Sequence, residues 1–130
     1  MALIYEVVKE EDRELFNSFV PSRKANINTK WVVDKERNIY FFWIGGEMRE
    51  SEAVYFLSWN NFKINIYIEL KCGNYAHVVI KRILLPDILR VKKEKIKEIV
   101  DIIPELLQLT FRRKIIFEEI PEVSFREKEN

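Results

Sequence analysis

Residues 62 to 72 alternate without interruption between apolar and polar side chains. Phe62, Ile64, Ile66, Ile68, Leu70 and Cys72 fall on one parity, and Lys63, Asn65, Tyr67, Glu69 and Lys71 on the other. A helix would scatter these residues around its whole circumference. Only a strand separates them cleanly, with one buried face and one wet face. A strand of this kind needs paired neighbours and something to cover its apolar side. The following segment puts Ala76, Val78 and Ile80 in phase with it if the connecting loop is residues 73–75. A two-residue loop would instead oppose Leu70 with His77 and Glu69 with Val78, so hydrophobic matching predicts the first register.

Other stretches also read as strands: Leu3 to Val8, Lys30 to Val33, Asn38 to Ile44 and Ala53 to Trp59, with a last one over Lys114 to Ile120. Two of them differ from the amphipathic strand. In Asn38 to Ile44, the residues Ile39, Phe41 and Trp43 point one way, and Tyr40, Phe42 and Ile44 the other. Ala53, Tyr55, Leu57 and Trp59 alternate with Val54, Phe56 and Ser58. Strands that are apolar on both faces must be covered on both. Of the 17 aromatic residues, ten, including all three Trp, lie between Trp31 and Tyr67, so the demand for cover is local.

Two segments offer that cover. Glu10 to Val20 places Leu15, Phe16, Phe19 and Val20 on one helical face, has acidic residues in its first turn and stops at Pro21. From Asp87, which follows Pro86 and suits a capping role, Ile96, Ile99, Val100, Ile103 and Leu107 step by three or four. That spacing predicts a long amphipathic helix with a kink or break at Pro104. The predicted fold is α+β: an antiparallel meander of five to six strands, a short amino-terminal helix, and a long carboxy-terminal helix laid on the sheet. Residues 1–121 form a single domain, and 122–130 form a charged tail expected to fray.

Several classes of chemistry find no support. The only cysteine is Cys72 and the only histidine is His77, which leaves no internal disulfide and no multi-Cys or multi-His metal site within one chain. The preferred register sends these two side chains to opposite sheet faces, so a thiolate–imidazole pair is not expected. Gly45–Gly46 has no following Lys-Ser or Lys-Thr and precedes Glu47, Glu50 and Glu52, which favours a turn over a phosphate cradle. Those glutamates read as a solvated connection. Neither G-x-S-x-G nor H-E-x-x-H occurs. No cofactor is expected. The amino terminus lacks a basic n-region and a cleavage site, and the longest apolar run is about six residues against the ~20 that span a bilayer. These features predict a cytoplasmic protein.

What remains is an expectation of binding. A non-enzymatic protein-binding module would put its aromatic excess to use in self-association, as a homodimer, or as an accessory, inhibitor or immunity-type partner. Tyr40, Phe42, Trp43, Tyr55 and Trp59 are the candidate contacts, and alternation allows at most half of them to be exposed. Two alternatives stay open. Residues 81–97 carry seven basic side chains against two acidic ones although the whole chain is only +1, so Lys92, Lys93, Lys95 and Arg112 are candidate nucleic-acid contacts. An apolar ligand held between the sheet and the long helix is the other.

Overall fold

A computed structural model describes residues 3–5, 8–19, 30–45, 52–71, 76–111, 114–117 and 121–127. The chain runs β1 (Leu3–Tyr5), a 3₁₀ turn (Glu10–Asp12), α1 (Arg13–Phe19), β2 (Trp31–Asp34), β3 (Ile39–Gly45), β4 (Glu52–Trp59), β5 (Phe62–Lys71) and β6 (Ala76–Leu85). A second 3₁₀ segment (Asp87–Val91), α2 (Lys93–Thr110), β7 (Ile115–Phe117) and β8 (Glu122–Phe125) complete it. The fold is α+β. All eight strands among the described residues belong to one sheet, in which β1 to β6 lie side by side in chain order and pair antiparallel. β7 and β8 both run parallel to β6, β7 along Ala76–Val78 and β8 along Arg82–Leu85.

Parity sorts the two cores. Ile39, Phe41, Tyr55, Leu57, Ile64, Ile66 and Ile68 share the larger one with Ile99, Ile102, Ile103, Leu106 and Leu107 of α2. Phe42 and Phe56 turn the other way and join Val8, Phe16, Trp31 and Val33 in a smaller one. The strands that are apolar on both faces are therefore covered on both, by α2 on one side and by the α1 region on the other. Phe16 contacts Trp31 and Phe42 with ring centroids 5.2 and 4.6 Å apart. The second face of β5 is largely polar instead, while on β6 the same face also carries the fully buried Val79. Arg82 lies over the Tyr67 ring at 5.6 Å and Lys81 pairs with Glu69 at 3.1 Å.

The β5–β6 register near its turn is the one that hydrophobic matching favours, with Leu70 opposite Val78 and Lys71 opposite His77. Further along, a bulge between Tyr67 and Ile68 sets Tyr67 against Arg82 and Ile68 against Ile80. Lys81 is the extra residue. The bulge explains why apolar positions on β6 pass from Val78 and Ile80 to Ile83 and Leu85 with a skip of three, all in the core.

Several expectations are corrected. Val8 is not in β1 but packs at 4% exposure in the smaller core. Gly45, expected in a turn, closes β3 just after a bulge between Trp43 and Gly45, while Gly46 lies outside the described residues. The helix expected from Asp87 begins only at Lys93. Asp87 does not cap it: its Oδ1 accepts from Arg90 Nε at 3.0 Å within the 3₁₀ segment. Residues 122–125 do not fray. Val123 and Phe125 pack on the larger core as β8, Arg126 N donates to Leu85 O at 2.8 Å, and Arg82 Nε donates to Ser124 Oγ at 2.7 Å. Val20, Pro21, Cys72, Glu47, Glu50 and residues 118–120 and 128–130 lie outside the described residues.

Pro104 does not break the helix. α2 runs from Lys93 to Thr110 with Pro104 inside it. The ring has no N–H to offer the Val100 carbonyl and crowds the preceding turn, and only tertiary packing holds such a helix together. Pro104→Ala should restore that bond. The gain should be about 1–2 kcal/mol once the lost stiffening of the unfolded chain is subtracted. A rise in the urea midpoint at unchanged slope checks it; a lowered midpoint would mean that the ring's packing outweighs the missing bond.

The β2–β3 turn ties the sheet to α2. Asp34 is buried at 2% exposure, and its carboxylate accepts from Arg37 Nε at 2.6 Å and from Arg37 N at 3.2 Å. Arg37 also reaches Glu105 of α2 at 3.9 Å. Burial alone would raise the Asp34 pKa, but the Arg37 hydrogen bonds and charge outweigh it and hold the group below its ordinary 3.8. A depressed folded pKa means that the carboxylate stabilises the fold above the unfolded value and loses that contribution as pH falls through the folded one. Below about pH 4, the wild type should therefore lose stability more steeply than Asp34→Asn, which has no such proton to take up. Parallel acid titrations followed by tryptophan fluorescence test this; identical slopes would refute it.

Candidate binding surface

The segment between β6 and α2 builds the most exposed apolar feature among the described residues. Pro86, at φ −65° and ψ 145°, ends the strand, and Leu89 N donates to Pro86 O at 3.0 Å. Lys92 N donates to Leu89 O at 2.9 Å, and Lys92 itself, at φ −108° and ψ 70°, separates the 3₁₀ segment from α2. A 3₁₀ helix repeats every three residues, so side chains at i and i+3 eclipse. Ile88 and Val91 therefore stand side by side, at 61% and 85% exposure, while Leu89 points inward at 0%.

A cleft of about 780 Å³ opens beside them. Its far wall is the start of β5, and Arg126 and Glu127 after β8 close one end. The far wall is set by a tight turn. Asn60 and Asn61 take positive φ angles of 50° and 69°, which suits a two-residue hairpin loop, and they fix Phe62 opposite Trp59. Asparagine tolerates this backbone region better than other residues with a Cβ. Arg126 anchors the end of the cleft by donating to Lys63 O and to Asn65 Oδ1. Phe62, Ile88 and Val91 supply the apolar lining, and Lys63, Arg90 and Arg126 stand against Asp87 and Glu127 around them. Lys92 and Lys93 are exposed at the adjoining start of α2.

The five aromatic contacts expected from sequence divide differently. Phe42, Tyr55 and Trp59 are buried, at 0%, 7% and 9% exposure, and build the cores instead of presenting a surface. Tyr55 stacks on Phe41 with centroids 5.0 Å apart and shares a hydrogen bond with the Thr110 side chain; burial pushes its phenol above the usual 10.0. Tyr40 and Trp43 are partly buried and belong to opposite layers, so they do not form one patch. The nucleic-acid candidates are also dispersed in role. Lys92 and Lys93 are exposed, Lys95 lies over the Trp59 ring at 4.2 Å and pairs with Glu98 at 3.3 Å, and Arg112 lies outside the described residues. The space considered for an apolar ligand, between sheet and α2, is lined by Leu57, Ile64, Ile103 and Leu106, all at 0% exposure.

The chain matches no family model, no curated protein and no solved structure. Among the described residues, no helix is long and apolar enough to cross a membrane, and no three or more His, Cys, Asp or Glu side chains gather as a metal ligand set.

Sequence reasoning missed Ile88 and Val91 because it extended one helix back to Asp87. Ile88 precedes Ile99 by eleven residues, about three turns at 3.6 residues each, so a continuous helix would have turned Ile88 onto the buried face. The proline and the apolar pair Ile88–Leu89 were the available signal: two adjacent apolar residues cannot both face one core from a 3₁₀ turn.

Proposed function

We propose that this chain is a non-enzymatic protein-binding module, working as an accessory, inhibitor or immunity-type partner of another protein. Its contact surface is the cleft formed by Phe62, Ile88 and Val91, not the aromatic strands. The observation that carries this reading is the exposure of two neighbouring aliphatic side chains on a short segment whose third apolar residue, Leu89, is fully buried. Water-facing aliphatic pairs of this kind gain most when a partner covers them. The aromatic surplus serves a different purpose, giving a stiff sheet from which the segment projects.

Replacing Ile88 and Val91 together by serine tests the reading. Both are surface positions, so stability should stay within about 0.5 kcal/mol of the wild type. A protein captured stoichiometrically by the immobilised wild-type chain should no longer be retained by the double variant. Equal capture by both chains would move the contact elsewhere. Capture of nucleic acid alone, lost steeply with salt, would replace the reading with the nucleic-acid alternative.

A further inference from the structure

We propose that the occupant of this cleft is an acidic segment of a second protein, which sets one aliphatic or aromatic side chain between Phe62 and the Ile88–Val91 pair and its carboxylates against the surrounding cations. The inference rests on the protein-binding reading and adds the chemistry of the partner. The cleft is open to solvent and, at about 780 Å³, has room for a few side chains. Its walls are fixed by Pro86, by the buried Leu89 and by the Asn60–Asn61 turn, so little ordering is needed on this side when a segment docks.

Charge selects the occupant. Asp87 already engages Arg90 at 3.0 Å and Glu98 engages Lys95 at 3.3 Å, but Lys63, Lys92 and Lys93 stand exposed in and beside the cleft against Glu94 and Glu127. Carboxylates flanking an apolar anchor would meet this field favourably. A second copy of this chain would not. A two-fold interface places the same patch on both sides, so both faces would bring the like charges of Lys92 and Lys93 into it. Nucleic acid is also poorly served. Two aromatic rings near the cleft, Trp59 and Phe125, already carry Lys95 and Arg90 over them at 4.2 and 4.6 Å, which takes up faces on which bases would stack. Ile88 and Val91 have no hydrogen-bonding group with which to read bases.

The experiment titrates the isotope-labelled full chain with four probes: a short peptide with a central leucine flanked by glutamates, its Leu→Ser copy, its Glu→Lys copy, and a single-stranded oligonucleotide. The acidic leucine peptide should shift the amides of Phe62, Ile88 and Val91. Its affinity should exceed that of both altered peptides by at least about tenfold and should fall by a similar factor with Lys92→Glu/Lys93→Glu, a pair outside the core. If the lysine peptide binds as well as the acidic one, the charge inference is overturned and the protein-binding reading stands. If no peptide binds while the wild-type chain still captures a protein that the Ile88→Ser/Val91→Ser variant loses, the inference again falls alone. If only the oligonucleotide binds, and at these residues, both fall together.

Discussion

Replacing Phe42 by alanine should cost about 3–5 kcal/mol of stability, as large aromatic truncations in closed cores do. Phe42 has no exposed surface, and its ring sits 4.6 Å from Phe16, 4.7 Å from Trp31 and 5.3 Å from Phe56. Among the described residues this smaller core consists of few side chains, so removing the one at its centre leaves a gap that those neighbours fill poorly. For a domain of this size the loss lowers the melting temperature on the order of 10–20 °C. Urea unfolding followed by tryptophan fluorescence measures it. Tyr40→Ala, a partly buried neighbour on the same face, should cost clearly less. A loss below about 1 kcal/mol for Phe42→Ala would mean that the layer is open and would return Phe42 to the list of partner contacts.

Leu89→Ala should also be costly, by about 2–5 kcal/mol, and should act on function as well. Leu89 is at 0% exposure in the larger core, and it is the only residue of the 3₁₀ segment buried there. Truncating it removes the anchor that holds Ile88 and Val91 in place. Hydrogen exchange should rise across residues 87–91 beyond what the global loss explains, and partner affinity should fall. The contrast with Ile88→Ser/Val91→Ser is informative. That pair should lose binding and keep stability, whereas Leu89→Ala should lose both. If Leu89→Ala destabilised the chain without raising exchange in 87–91, the segment would be held by Pro86 and the Asp87–Arg90 pair instead.

Much of the sheet could be read from residue order because the information there is local. Alternation over Phe62–Cys72 needs no knowledge of distant residues, and a one-residue slip would turn Leu70 away from Val78, so the register follows from matching. The double-sided apolar pattern of Ile39–Ile44 and Ala53–Trp59 likewise demanded cover on two faces, and α2 and the α1 region supply it. The proposed binding surface was far less legible. Trp43 and Trp59 looked like anchors because of their chemistry, yet Trp59 packs under Lys95 with 9% exposure. Ile88 and Val91 do not stand out in the sequence because a helix continued back to Asp87 would place Ile88 on its buried face.

Local pattern, then, was enough to dictate strands β2 to β6, their parity, the β5–β6 register near its turn and the α+β class, since each depends on neighbours within a few residues. Tertiary packing alone decided the rest. β8 exists because β6 offers an open edge at Arg82–Leu85, which a chain with only Val123 and Phe125 as apolar residues can join but cannot announce. α2 passes through Pro104 because Ile99, Ile103, Leu106 and Leu107 are buried on both sides of it. The helix starts at Lys93 and not at Asp87 because burying Leu89 fixes the preceding turn in a tighter winding. That change of winding, from 3.6 to three residues per turn, is what turns Ile88 and Val91 out to solvent.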